Sequence, residues 1–288
     1  MQYLDLLKDI NFWIPALGAT LLGTVSGMVG SISVLRGQSL IGDSIGHSVF
    51  PGVVIAFMLF QTRNPSILML GAILAGFIAY LLIQAISNKS TTKLDTSLAI
   101  VLSTMFGLGV VLKSYIQGNI AYRHTSQAGL EKYIFGQAAY TDKSDVKILF
   151  VVSIVNLLLL CLFYKEIKIF VFDYEFSQLT GFRPKLLSIV ILLSSLSLIA
   201  VGLRIVGAIL ISSMLVAPAV GAIQWTVKFN RMLLLAGFFG GFSSLLGTIF
   251  AYYGLPNGPS IILVMSLIAI LSMILGYRGP LRKIWRKQ

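Results

Sequence analysis

The 288 residues are 57% hydrophobic and only 11% charged, with a mean hydropathy of +0.90. A soluble domain would be roughly 25% charged, so that class is excluded, and the apolar runs are continuous where a transmembrane barrel would alternate. The net charge of +12 is spread between and after apolar segments without forming a basic domain, so it reads as topology and not as nucleic-acid binding.

An all-α, polytopic membrane protein follows. The N-terminal MQYLDLLKDINFW lacks the basic start and small-residue cleavage site of a signal peptide, and the first hydrophobic segment is expected to be retained. Segments long enough to approach a bilayer core run at about 12–35, 40–60, 66–87, 95–116, 146–164, 186–203, 205–227, 232–253 and 259–277. The second and seventh are interrupted by glycine and proline, which gives eight or nine transmembrane helices in a single domain over 1–288. Gly23, Gly27 and Gly30 share one side of the first span, and Gly237, Gly240, Gly241 and Gly247 line the eighth, as close helix packing requires.

Two connections are long, 117–147 and 165–185. The tail 278–288 carries Arg278, Arg282, Lys283, Arg286 and Lys287 and is assigned to the cytoplasm. Counting backwards puts Lys228–Arg231, 165–185, Lys89–Lys93 and Arg36 inside, with 117–147 and the N-terminus outside. Cys161 is the only cysteine, so neither an internal disulfide nor a thiolate metal site is available. His124, beside Arg123 in the outer loop, reads as a surface histidine. Leu130, Ile134 and Phe135, within Ala128–Ala139, have the spacing of a short amphipathic element at the membrane surface, or of ordinary loop packing.

One stretch breaks the apolar pattern. Arg36–Gly52 reads RGQSLIGDSIGHSVFPG, and Asp43 and His47, four residues apart, share one face of a helix. An ionised carboxylate at the bilayer centre costs about 3 kcal/mol, so Asp43 must face protein, water or an ion. Spacing alone leaves two readings: a pair of metal ligands, or Asp43 as the N-cap of a helix beginning after a Ser39–Gly42 turn with His47 hydrogen-bonded near the interface. Pro51-Gly52 weakens the helix beyond them, as a site built from irregular backbone or a simple kink would.

This stretch resembles the signature of the membrane permease subunits of ATP-binding-cassette importers for manganese, zinc and iron, with Gly46 where Ser is usual and Phe50 where Leu is usual. Leu94–Leu112 is similar to the next signature of that family, with Ala99 for Gly. Val206–Ala222 resembles its gating segment, keeping Pro218 and altering Val220 and Gly221, and Leu255–Leu263 its last extracellular turn. The four fragments stand in order over essentially the whole chain. The resemblance implies a type II ABC-importer-like permease fold in a bacterial cell membrane. It makes Asp43 and His47 the metal-coordinating pair, and Pro51, Gly52 and Pro218 pathway or gating residues. No permanently bound cofactor is implied; the metal is cargo. Carboxylate oxygen and imidazole nitrogen suit Mn²⁺, Zn²⁺ and Fe²⁺, and the likeness to the manganese members puts Mn²⁺ first.

Ile167–Phe182 is similar to the cytoplasmic coupling segment of the same family, with Ser177 where Ala is usual. Physically, Asp173 can cap a short helix holding Glu175 and running to Leu179 or Thr180, with Gly181 ending it. Such a helix needs a partner surface. Its own membrane domain is one possibility, and the resemblance implies the other, a groove on a separate ATP-binding subunit. Implied partners are two ATP-binding chains, a second permease chain, identical or homologous, and an extracellular metal-binding lipoprotein or periplasmic protein. The sequence has no Walker A motif to bind ATP and no HExxH, so it is read as a transport subunit and not an enzyme. The competing class is a secondary transporter or channel in which Asp43 and His47 relay protons or cations. A large organic metal chelate is the remaining cargo, and it would not need a compact Asp/His pair.

Overall fold

The computed structural model describes residues 10–62, 64–119, 122 and 143–279. His124, the Ala128–Ala139 element and the end of the basic tail lie outside the described residues.

Among the described residues every regular element is a helix: α1 Ile10–Leu35, α2 Ile41–Ser48, α3 Phe50–Phe60, α4 Pro65–Lys89, α5 Leu94–Gly118, α6 Lys143–Leu162, α7 Tyr164–Phe172, α8 Tyr174–Leu179, α9 Pro184–Ile205, α10 Ala208–Ile223, α11 Phe229–Tyr252 and α12 Asn257–Leu275. Eight spans are long and apolar enough to cross a membrane, α2 and α3 together forming one of them, Ile41–Phe60. Helix α10, with 16 residues, is about 24 Å long at 1.5 Å per residue, short of the ~30 Å hydrocarbon core. The chain is a multi-pass membrane protein, with eight helical segments of spanning length and one shorter apolar helix among the described residues.

The chain forms two compact units. One comprises 1–39, 138–198 and 213–288; the other comprises 40–137 and 199–212. In the first unit α11 packs along α1, with α12 and α6 as further neighbours. The packing is close because the glycines meet. A Cβ at Gly240 would strike the Gly23 carbonyl, and one at Gly23 would strike the Gly240 carbonyl. Gly27 lies in the same way on Ala236, but Gly247 faces Ile261 of α12 and not α1, because it sits two turns further along α11. Asn156 of α6 donates from Nδ2 to the Ser197 hydroxyl of α9 at 3.0 Å, a polar tie of the kind membrane helices use where apolar burial does not discriminate.

The second unit is built around α2 and α3. Helix α3 packs on α4 and α5, and α2 also rests on α5. Gly52 and Gly71 touch backbone to backbone, so the glycine after Pro51 sets the α3–α4 crossing. The remaining departure from the sequence reading is α7. The stretch after Leu162 reads as a loop in sequence because Lys165, Glu166 and Lys168 interrupt the apolar run. In the structure these charges lie on a helix whose Ile167 and Phe170 are buried.

Candidate metal site and coupling segment

Asp43 is the third residue of α2, not its cap. The N-cap is Leu40, without a side-chain cap bond, because the chain leaves α1 through a turn at 36–40 and starts a new helix two residues before the acid. Asp43 and His47 therefore lie one turn apart, and His47 Nε2 stands 3.7 Å from Asp43 Oδ1. The acid is 47% and the imidazole 22% exposed, so an ion can reach both.

The pair is held by α5. Ser44, between the two, donates its hydroxyl to the Leu98 carbonyl at 2.9 Å. The His47 ring stands edge-on to Phe106, with centroids 5.4 Å apart at 85°, and Phe106 also meets Phe50 at 6.0 Å. A Cβ at Gly109 would come within 3.0 Å of the Pro51 nitrogen. Leu98, Phe106 and Gly109 all belong to the Leu94–Leu112 stretch, so the first two signatures of the sequence form one surface. Phe106 was not singled out from sequence; only its place in that second stretch pointed to it. Gly46 faces the other neighbour, α10. A Cβ there would sit 3.5 Å from the Ser212 hydroxyl, an ordinary contact, so a serine fits this position.

The helix breaks at Val49, and Pro51 falls in the first turn of α3. Proline has no N–H to return to the carbonyl four residues back, which is that of His47. The α2 ladder ends with Val49 N–H donating to the Ile45 carbonyl at 3.0 Å. Gly52 is buried in the α4 contact, and Pro218, inside α10, lies against the Gly27 and Gly240 faces of α1 and α11. Among the described residues no three His, Cys, Asp or Glu side chains come together. Two protein donors would leave an ion's shell open to water, as suits an ion that must leave again.

The short helix read after Asp173 in the sequence is present. Asp173 caps α8 by accepting from Phe176 N–H at 2.9 Å. The helix ends at Leu179, and Gly181 takes φ +81°, a left-handed value that other L-residues adopt only at a cost of about 1–2 kcal/mol. Of the six residues in α8 only Ser177 is buried. Tyr174, Phe176 and Leu179 are exposed, Leu179 at 85%, and Glu175 is exposed beside them. Next to α8 a groove of 510 Å³ is lined by Tyr174, Gln178, Phe182, Arg183, Lys185 and Ile189, among others.

Ser177 is fully buried and its hydroxyl meets no hydrogen-bond partner. A buried unpaired hydroxyl costs about 1–3 kcal/mol, so Ser177→Ala is expected to leave the melting temperature unchanged or raise it by a few degrees, as read from thermal unfolding of the purified chain.

Arg36, the first residue of the turn after α1, places its guanidinium 4.4 Å over the Phe170 ring of α7. The contact joins the start of the Asp/His stretch to the helix that leads into α8.

The ABC 3 transport family matches residues 10–276. The chain is 40% identical to the zinc transport system membrane protein TroC of Treponema pallidum (strain Nichols), over 98% of this chain and 95% of that protein. It is 39% identical to the manganese transport system membrane protein MntC of Bacillus subtilis (strain 168), over 94% of this chain and 62% of that longer protein. The solved structure of PsaBC from Streptococcus pneumoniae in complex with Fab superposes with a TM-score of 0.86 at 28% identity, covering 100% of this chain and 99% of that one. With most of its length matched by that family and a 40% identical relative aligned end to end, the chain belongs to the ABC 3 transport family.

Proposed function

We propose that this chain is the permease subunit of an ATP-driven importer that moves a divalent transition metal ion into a bacterial cytoplasm, and that Asp43 and His47 bind the ion in transit. The observation that carries the reading is the exposed carboxylate–imidazole pair in a membrane-crossing helix. The names of the relatives point to the same cargo class, zinc for one and manganese for the other. Mn²⁺ is our first choice, because the sequence resembles manganese members of the family, MntC of Bacillus subtilis among them, and one carboxylate oxygen and one imidazole nitrogen suit it. Zn²⁺ and Fe²⁺ remain compatible with those donors. Pro51 and Gly52 shape the pathway beside the pair, and Pro218 belongs to the gating segment.

The 288 residues act as one transmembrane domain, with 117–147 outside and 165–185 and the basic tail 278–288 inside, an arrangement in which the short α10 crosses together with the eight longer spans. Residues 117–147 help receive the ion from an external metal-binding lipoprotein or periplasmic protein. ATP is hydrolysed by two copies of a separate subunit, and a second permease chain, identical or homologous, completes the pathway. The segment Asp173, Glu175, Ser177 and Gly181 transmits the ATPase stroke. Its support is the apolar surface of α8, whose Tyr174, Phe176 and Leu179 are about half exposed or more among the described residues. Glu175→Lys and Gly181→Pro are therefore expected to leave the assembly intact but to lower metal-stimulated ATPase activity and uptake together by at least tenfold. Wild-type stimulation in both variants would remove α8 from the coupling role.

The metal itself is tested in cells. At limiting metal, cells lacking the intact system should contain less manganese, with zinc and iron unchanged. A selective fall in zinc would reassign the cargo while keeping the pathway.

A further inference from the structure

Three helix ends meet at one place in the first unit: the end of α10 at Ile223, the start of α11 at Phe229 and the end of α12 at Leu275. The loops beyond them are cinched. Arg278 N–H donates to the Gln224 carbonyl at 3.1 Å, and a Cβ at Gly276 would meet the Gln224 side chain. Between them lies a cavity of 240 Å³ whose wall includes Lys228, Arg231, Arg278, Trp225 and Tyr277. A second cavity of 460 Å³ shares Trp225, Thr226 and Arg231 with the first and continues onto Leu235 and Phe239. Leu235 and Phe239 lie one and two turns along α11 from Arg231, so the wall changes from cationic to apolar over about 12 Å of helix.

We propose that this pair of cavities is a binding site for an anionic membrane phospholipid, a function separate from the metal pathway and independent of its assignment. The phosphate sits among Lys228, Arg231 and Arg278, and an acyl chain runs down the groove past Leu235 and Phe239. Three features require that occupant. The three cations are exposed and, among the described residues, form no ion pair with a carboxylate, so the charge they would neutralise comes from outside the chain. The site is at the ends of membrane-crossing helices, the depth at which lipid phosphates lie, and Trp225 and Tyr277, 45% and 49% exposed, are the residue types that populate that depth. The groove continuing from the charges is apolar, which a free phosphate ion would leave unused. A zwitterionic headgroup would bring a cation towards three cations. Basic pockets between helices are the usual recognition device for acidic headgroups, and the first N–H groups of the 24-residue α11 add a favourable dipole end for the phosphate.

The test uses the full-length chain, purified with the subunits that accompany it and stripped of lipid. It is titrated in detergent with phosphatidylglycerol, with phosphatidylcholine of the same acyl chains and with inorganic phosphate, and bound lipid is counted by native mass spectrometry. We expect phosphatidylglycerol to be retained at concentrations at least tenfold lower than phosphatidylcholine, and inorganic phosphate not to displace it. Lys228→Gln, Arg231→Gln and Arg278→Gln together should abolish that preference, whereas Lys228→Arg, Arg231→Lys and Arg278→Lys together should keep it. If the neutral triple variant does not fold, Arg278→Gln alone should weaken the preference at least twofold. Equal retention of the two lipids, a preference unchanged by the neutral variants, or displacement by inorganic phosphate at the lipid's own concentration would each overturn the site.

Discussion

Asp43→Asn and His47→Ala are each expected to reduce metal uptake by at least tenfold while the protein still reaches the membrane and assembles. In the proposed site the two side chains would contribute one donor apiece, and no third His, Cys, Asp or Glu stands with them among the described residues. Losing either halves the protein's share of the coordination, and even partners one shell further out are worth about 10–100-fold in metal affinity. Folding should survive. The helix is anchored through Ser44 and the Leu98 carbonyl and through buried Ile45, none of which the substitutions touch, and removing a partly exposed carboxylate from a membrane helix lowers an insertion cost. The measurement is accumulation of radioactive Mn²⁺ or Zn²⁺ by cells, scored against immunodetected permease in the membrane. Undiminished uptake in both variants would sink the assignment.

A second large effect falls on packing. Gly240→Leu is expected to prevent accumulation of folded chain, because the new side chain would have to pass through the backbone of α1 at Gly23. Overpacking that side chains can absorb costs about 1–3 kcal/mol. Here the obstruction is a carbonyl in a regular helix, so α1 and α11 must separate and lose the contacts along their shared face. Gly107→Leu is the control, since nothing stands within 4 Å of a Cβ there. Comparison of the two by size-exclusion profile in mild detergent checks the claim: Gly240→Leu should aggregate or vanish and Gly107→Leu should run as the parent.

Much of this was legible in sequence. The spans could be read because a membrane helix must satisfy its own backbone over about 20 apolar residues, and the observed helix bounds fall within a few residues of those segments. The Asp43–His47 face and the Asp173 cap could be read because both depend on helical spacing within one turn. The break at Val49 was announced by Pro51. What could not be read depends on partners remote in sequence. Phe106 becomes a neighbour of His47 only when α5 crosses α2, and Arg36 finds Phe170 only across 134 positions of chain. Helix α7 was hidden because its charges mask two buried apolar residues in a short run, and the rule that makes a membrane span conspicuous gives no signal for a helix of nine residues. Gly247 was grouped with Gly237, Gly240 and Gly241 by composition, yet the neighbours available at its height on α11 assign it to α12.

The competing class, a secondary transporter in which the same pair relays protons, would use these residues with a different energy source. No titration argument is needed to separate the two. In vesicles containing the permease with its ATP-binding subunits and loaded metal-binding protein, Mn²⁺ accumulation should require hydrolysable ATP and persist when proton and sodium gradients are collapsed, and Asp43→Asn should abolish it. Accumulation driven by an ion gradient without ATP, or ATP-driven accumulation that survives Asp43→Asn, would contradict an ATP-powered pathway through Asp43 and His47.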